Sequence, residues 1–144
     1  MFGLFKSNKK VAPARILVVD DESDCLSIIQ CRLEWSHYDV ITASNGAEGL
    51  KIADSENPDI VLLDTNMPVM DGHEMLERMR KHPRLKDTPV IMVTALCGTN
   101  DIATASALGI SDYVTKPVDF TSLLEKISNI LENRMSKSTK RIKA

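Results

Sequence analysis

Three aspartates, one threonine and one lysine in this chain have residue types and spacing suited to phosphoryl transfer. Each follows or ends a short apolar run of the kind that forms buried strands. They are Asp20 and Asp21 after ILVV, Asp64 after IVLL, Thr94 at the end of VIMVT, and Lys116 after DYVT. Phosphoryl transfer needs a nucleophile, a metal that neutralises charge on the moving group, and a cationic clamp. These five residues offer candidates for those roles if the fold brings them together.

The three carboxylates predict a bound cation. Carboxylates packed together repel one another unless a cation lies among them. Mg²⁺ suits such a set because it takes a few carboxylate or carbonyl oxygens at about 2.0–2.1 Å and keeps water for the rest. Asp64 is the candidate nucleophile, as in aspartyl-phosphate chemistry. Lys116 is the candidate clamp for phosphate, and the Thr94 hydroxyl can donate a hydrogen bond to a phosphoryl oxygen.

Alternating strand and helix patterns predict the fold that positions these residues. Near-continuous apolar strands indicate a parallel sheet covered by helices on both faces. Right-handed crossovers then favour a flavodoxin-like, doubly wound α/β fold with five strands in the order 2-1-3-4-5. That order places strands one and three side by side, so Asp20 and Asp21 should lie next to Asp64. The predicted strands are 16–19, 38–43, about 60–64, 90–95 and 112–117, and the predicted helices end near 37, 55, 81, 108 and 134.

Length, composition and charge exclude several classes. The 144 residues suit one domain. No apolar run approaches the roughly 20 residues of a membrane span, and no secretory signal is present. We therefore expect a cytoplasmic protein without stable membrane insertion. Residues 16–134 hold all 20 acidic residues and only 10 basic ones, which disfavours a nucleic-acid partner. The three cysteines lack metal-ligand spacing and are expected to be structural or incidental thiols.

The two ends of the chain are basic. Residues 1–14 form a basic and apolar N-terminal extension, with Phe2, Leu4 and Phe5 before the lysines. This extension is a frayed tail, a short docking peptide, or a weak membrane-surface contact too small to anchor the protein alone. Residues 135–144 are expected to be a disordered basic tail. The folded domain is expected to span residues 15–134.

In their order along the chain, these residues resemble the receiver domain of two-component response regulators. The resemblance covers residues 15–134 and suggests a chemotaxis-regulator-like, stand-alone receiver. Its motifs are Asp20-Asp21, Asp64 with Met67-Pro68 and Asp71-Gly72, Thr94-Ala95, and Tyr113 before Lys116-Pro117.

The resemblance implies a role for each of these residues. Asp64 would accept a phosphoryl group from a histidine kinase, and Lys116, before a cis proline bond, would pair with Asp64 or its phosphate. Thr94 and Tyr113 would act as the switch, changing the affinity of the face formed by helix four, strand five and helix five for a downstream protein. The metal set would be Asp20, Asp21, Asp64 and the backbone carbonyl of Asn66, holding Mg²⁺.

Other functions remain as alternatives. An aspartate-nucleophile phosphatase needs a second acid two residues after the nucleophile, where this chain has Asn66. A flavin-mononucleotide binder would not place acids after strand one, and no GxxxxGK or GxGxxG motif occurs. Ten residues after the predicted last helix are too few for an output domain. The sequence therefore leaves open a receiver that docks to a partner protein and a phosphorelay intermediate that passes phosphate to a histidine phosphotransfer protein, and it does not predict the oligomeric state.

Overall fold

Five strands alternate with five helices along the chain. A computed structural model describes residues 12–95 and 99–143, with the side chains of 99–102 and 135–143 left outside the description. The elements are β1 (Arg15–Val19), α1 (Ser23–Trp35), β2 (Asp39–Ala43), α2 (Gly46–Glu56), β3 (Ile60–Asp64), α3 (Gly72–Lys81), β4 (Val90–Thr94), α4 (Thr99–Ala107), β5 (Asp112–Thr115) and α5 (Phe120–Lys143).

The strands form one parallel sheet in the order β2-β1-β3-β4-β5. β1 pairs with both β2 and β3, and Val19 lies opposite Leu63 in the register. The residues that follow these two positions, Asp20 and Asp64, therefore emerge at the same level of the same sheet edge. The predicted flavodoxin-like order is confirmed.

Helices cover both faces of the sheet. Successive strand residues point to opposite faces, so Leu17 and Val19 of β1 pack with Met75 and Met79 of α3. Ile16 and Val18 instead enter a second cluster, together with side chains of α1 and α5. Met67, Met75, Met79 and Met92 are all buried and belong to the core on the α3 face of the sheet.

Polar contacts at helix ends fix the loops. Asn45 accepts a hydrogen bond of 2.9 Å from the backbone N–H of Glu48 at the start of α2. Asp71 accepts one of 2.9 Å from the N–H of Glu74 at the start of α3. Gly109, just beyond α4, has a φ of 79°, a left-handed conformation that glycine adopts readily after a helix end.

Two helix ends differ from the prediction. α1 ends at Trp35 rather than near residue 37, because His37 has a φ of 71° and leaves the helical conformation. α5 runs to Lys143 rather than ending near residue 134. No Gly or Pro follows Pro117, so nothing in the sequence stops the helix where its apolar stripe fades. The prediction of a disordered tail after residue 134 was therefore wrong for residues 135–143.

The predicted extension lies mostly outside the described residues, which begin at Ala12. The proposed domain boundaries at residues 15 and 134 stay predictions. Among the described helices, none combines the length and apolar character that crossing a lipid bilayer requires.

Candidate functional site

Three aspartates gather at the edge of the sheet where the strands end. Asp20, Asp21 and Asp64, which we call the acidic pocket, offer carboxylate oxygens that all lie within 4.8 Å of one another. Asp20 is 2% exposed and Asp64 is 5% exposed, whereas Asp21 faces solvent. The predicted convergence of Asp20 and Asp21 with Asp64 is therefore observed.

Backbone contacts hold the two buried carboxylates in place. The Glu22 N–H donates to Oδ1 of Asp20 at 2.9 Å, and the Asn66 N–H donates to Oδ1 of Asp64 at 3.3 Å. The start of α3 also packs directly on the end of β3. A Cβ atom at Gly72 would lie 2.2 Å from the carbonyl oxygen of Asp64, so only glycine permits this approach.

The ammonium group of Lys116 contacts two carboxylates of the acidic pocket. Its Nζ is 3.1 Å from Oδ2 of Asp20 and 3.5 Å from Oδ2 of Asp64. Its backbone N–H donates to the carbonyl oxygen of Thr94 at 2.8 Å, which fixes its place beside β4. The Lys116-Pro117 peptide bond is cis, as the resemblance implied.

The charges in this cluster are coupled. Burial, with a further contribution from the charge of Asp20, raises the pKa of Asp64 to about 6, although the positive charge of Lys116 opposes this rise. Burial by itself would lower the pKa of Lys116, but its hydrogen bond to Asp20 and the charge of Asp64 outweigh burial and raise that pKa. One ammonium group therefore only partly compensates the buried carboxylates.

Thr94 and Tyr113 lie on the other side of the site. Thr94 is buried at the end of β4, and Tyr113 on β5 is 40% exposed. Both line one mostly apolar cavity, together with Thr65, His73, Met92, Ala105 and Ile110. The two predicted switch residues therefore border a common space between β4, β5 and α4.

Sequence reasoning missed several neighbours of the site. Glu22 reaches Lys116 with Oε1 at 3.3 Å, and its position directly after the aspartate pair was the available signal. Cys25 is half-buried, and burial together with a hydrogen bond to Asp20 raises the pKa of its thiol to about 11. Nothing in the spacing of Thr65 or His73 indicated that they would line the cavity beside Thr94.

The donor set of the acidic pocket fits Mg²⁺. All three side chains offer hard carboxylate oxygens, which are the ligands that this ion prefers. Burial, and after it the negative charge of Asp20, raises the pKa of Asp64, so the ionised form of Asp64 is disfavoured where no cation is bound. A divalent cation would relieve that repulsion.

Comparisons with known proteins agree with this geometry. Residues 16–128 match the family described as the response regulator receiver domain. The alkaline phosphatase synthesis transcriptional regulatory protein PhoP of Bacillus subtilis (strain 168) is 40% identical over 117 residues, covering 81% of this chain and 48% of PhoP. The response regulator PleD of Caulobacter vibrioides is 37% identical over 117 residues, covering 81% of this chain and 26% of PleD. The chain thus spans about half, or less, of the length of these curated relatives.

Solved structures show the same fold. A CheY-like response regulator receiver domain protein from Methanospirillum hungatei JF-1 matches with a TM-score of 0.82 and 32% identity, over 87% of this chain and 98% of that one. The chemotaxis protein CheY4 of Vibrio cholerae matches with a TM-score of 0.79 and 30% identity, over 83% and 99% of the two chains.

A doubly wound sheet with an acidic pocket and a lysine at its carboxyl edge, matched to these relatives, defines a signalling receiver domain. This chain belongs to the response regulator receiver family, and it is a phosphorylation-activated switch of two-component systems. The family match does not favour the phosphatase alternative.

Proposed function

We propose that Asp64 is the phosphoryl acceptor of this receiver and that a histidine kinase is the donor. The observation that carries the proposal is the position of Asp64. It ends β3 in a buried site, shares the acidic pocket with Asp20 and Asp21, and lies 3.5 Å from the Lys116 ammonium.

Asp64 acts as the nucleophile in its ionised form. One carboxylate oxygen attacks the phosphorus of a phosphohistidine, so an O–P bond forms while the P–N bond breaks and its electron pair returns to the imidazole nitrogen. With a pKa of about 6, most of Asp64 is ionised at neutral pH even before a cation binds. The protein itself catalyses only its own phosphorylation and dephosphorylation.

Asp20, Asp21, Asp64 and the backbone carbonyl of Asn66 would hold Mg²⁺. When bound, this ion supplies positive charge that neutralises the charge on the transferred phosphoryl group. Asp20 and Asp64 already lie within reach of the Lys116 ammonium, so the lysine and the metal share these two carboxylates.

Lys116 clamps the phosphoryl group once Asp64 is modified. Its ammonium is held by three acidic side chains and needs only a short side-chain movement to reach an oxygen bound to Asp64. An ammonium group acts as a point charge towards phosphate and does not need one fixed orientation.

Thr94 and Tyr113 transmit the effect of phosphorylation from Asp64 to the protein surface. The Thr94 hydroxyl would turn towards the phosphoryl group, which enlarges the cavity that both residues line. The half-exposed Tyr113 ring would then move inward, altering the surface formed by α4, β5 and α5. A downstream protein in the cytoplasm would bind to that altered surface.

Phosphorylation by acetyl phosphate tests this assignment. Incubation with Mg²⁺ and acetyl phosphate, followed by intact-mass measurement, should add one phosphoryl group to the unmodified sequence and none to Asp64→Ala. Asp24→Asn is the matched control, because Asp24 is an exposed acid on the first turn of α1 and lies outside the acidic pocket. Persistent labelling of Asp64→Ala would assign the acceptor to another residue.

A further inference from the structure

Glu22 contacts the acidic pocket and its lysine through both its backbone and its side chain. Its N–H donates to Oδ1 of Asp20 at 2.9 Å, and its Oε1 lies 3.3 Å from Nζ of Lys116. The Glu22 side chain is 67% exposed, whereas those of Asp20 and Asp64 are 3% and 7% exposed. Lys116 therefore has two buried carboxylate partners and one exposed partner.

The position of Glu22 in α1 does not explain why a glutamate stands there. Glu22 is the N-cap residue of α1, and its carbonyl oxygen accepts a hydrogen bond of 3.0 Å from the Leu26 N–H. Serine, aspartate and asparagine stabilise this position best, because their short side chains accept a hydrogen bond from the first turn. In the described part of the chain, the Glu22 side chain makes no such bond. It extends instead to Lys116, which lies 94 residues further along the chain.

A divalent cation in the acidic pocket would change the partners that Lys116 can keep. In the proposed function, the carboxylates of Asp20 and Asp64 hold Mg²⁺, and the ammonium must loosen its contacts with both because two cations repel each other. Glu22 lies outside the proposed metal set, so its carboxylate stays available to the ammonium. Since the two groups are already 3.3 Å apart, Lys116 can keep this ion pair while the other two weaken.

We propose that Glu22 is a positioning residue that holds the Lys116 ammonium at the exposed side of the site when Mg²⁺ binds. This inference rests on the Mg²⁺ site of the proposed function. Glu22 makes it easier for Lys116 to leave Asp20 and Asp64, so Mg²⁺ binds more tightly than it would without Glu22. It also keeps the ammonium within reach of the phosphoryl group that Lys116 later clamps.

Direct coordination of the metal by Glu22 is the competing explanation. Glu22 offers a carboxylate oxygen within 4.8 Å of ligand atoms of Asp20 and Cys25. That set includes a thiol, whereas Mg²⁺ prefers oxygen ligands, and the acidic pocket supplies three carboxylates. The Lys116 ammonium, which contacts Oε1 of Glu22, would also repel a metal ion bound to the same carboxylate. The contacts therefore favour positioning over coordination.

A double-mutant cycle measured by calorimetric Mg²⁺ titration separates the two explanations. Glu22→Gln should weaken Mg²⁺ binding by about three- to fivefold, the effect of one partly exposed ion pair. In the Lys116→Met background the same substitution should change the affinity by less than about 1.5-fold, because the ion pair is already absent. Asp24→Asn is the matched control, because it removes an equal charge from the first turn of α1 outside the acidic pocket. It should leave the affinity nearly unchanged.

A charge-conserving variant tests the contact itself. Glu22→Asp keeps the negative charge but shortens the side chain, so its carboxylate should cap α1 and no longer reach Lys116. Mg²⁺ affinity should fall about as far as in Glu22→Gln, while the midpoint of urea unfolding in chelator should not fall. An affinity equal to that of the unmodified chain would overturn the proposal, because charge without the contact would then be sufficient.

The outcomes also distinguish this inference from the function on which it rests. If the unmodified chain does not bind Mg²⁺, or if Asp21→Asn leaves binding unchanged, the proposed metal set is wrong and the inference is wrong with it. If Asp21→Asn weakens binding but Glu22→Gln does not, the role of Glu22 alone is wrong. The same conclusion follows if Glu22→Gln weakens binding equally with and without Lys116.

Discussion

The Nζ atom of Lys116 lies closer to Asp20, at 3.1 Å, than to the proposed acceptor Asp64, at 3.5 Å. The lysine is thus bonded to a proposed metal ligand before any phosphoryl group arrives. If Mg²⁺ binds the proposed metal set, lysine and metal would compete for the same carboxylates, and this predicts measurable consequences.

Removal of the Lys116 charge should strengthen metal binding. Lys116→Met leaves Asp20 and Asp64 without their cation, so we expect Mg²⁺ affinity to rise roughly three- to tenfold in calorimetric titration. Lys126→Met is the control, because Lys126 pairs with Asp112 at 3.1 Å outside the acidic pocket. Phosphate acceptance should be partly retained, but partner binding should no longer respond to it. Weaker Mg²⁺ binding would contradict the competition.

Asp21 should matter for metal rather than for folding. Asp21 is exposed, and its carboxylate joins those of Asp20 and Asp64 in one cluster. Asp21→Asn should lower Mg²⁺ affinity by about tenfold, since the ion loses one charged oxygen donor. The melting temperature in chelator should hardly change. An Mg²⁺ titration identical to that of Asp24→Asn would remove Asp21 from the metal set.

The raised pKa of Asp64 predicts a stability change with a defined pH window. The folded state binds a proton at Asp64 near pH 6, whereas the unfolded state does so only near its ordinary value of 3.8. The contribution of this group is therefore favourable below about pH 4 and is lost as the pH rises through about 6. Asp64→Asn should raise the free energy of unfolding by about 1–2 kcal/mol at pH 7.5 in chelator and by nearly nothing at pH 4.

Urea unfolding across this pH range measures the effect. The control is Asp24→Asn, which should leave the free energy of unfolding unchanged at both pH 4 and pH 7.5. Added Mg²⁺ should stabilise the unmodified sequence more than Asp64→Asn. A constant difference between the two proteins from pH 4 to pH 7.5 would show that the substitution acts through packing instead of charge.

Gly72 should tolerate no side chain. A Cβ atom at this position would lie 2.2 Å from the carbonyl oxygen of Asp64, so Gly72→Ala should cost about 2–4 kcal/mol and slow phosphorylation by acetyl phosphate. Gly49→Ala is the comparison, because its nearest neighbours at 3.0 Å are the ends of Met75 and Val19 side chains, which can shift. Equal losses for both variants would contradict the role given to the α3–β3 contact.

Arg80 should stabilise the end of α4. Its half-buried guanidinium donates to the carbonyl oxygens of Leu108 at 2.9 Å and Gly109 at 3.2 Å, and to those of Leu85 and Lys86 in the neighbouring loop. Arg80→Met should cost about 2 kcal/mol in urea unfolding, because these carbonyl groups lose their donor. Arg78→Met removes only an exposed ion pair with Glu74 and should change stability by less than about 0.5 kcal/mol.

Much of this architecture was predictable because its signals are local. The apolar runs of β1, β3 and β4 are buried along their length, so composition alone identified them, and the strand order then fixed the meeting of Asp20 with Asp64. Asp71-Gly72 was visible in the sequence as a motif, and Asp71 caps α3.

The parts that escaped prediction depend on tertiary contacts or on weak stop signals. Arg80 donates to carbonyl groups 28 and 29 residues away, and no spacing rule connects them. The pairing of Glu22 with Lys116 spans 94 residues and depends on the adjacency of two loops. α5 continues past the last residue of its apolar stripe. Amphipathic periodicity indicates only which part of a helix is buried, whereas helix propensity can extend the helix beyond that part.

The contact between Gly72 and Asp64 also limits the side of the site on which a conformational change can occur. The first turn of α3 packs against the main chain of Asp64, and the Gly72 N–H donates to the Thr65 carbonyl oxygen at 3.1 Å. This close packing leaves no room beside Gly72, so we expect a group attached to the Asp64 carboxylate not to move towards α3. On the proposed mechanism, we expect displacement towards the other side of the site, where Thr94 and Tyr113 border a cavity.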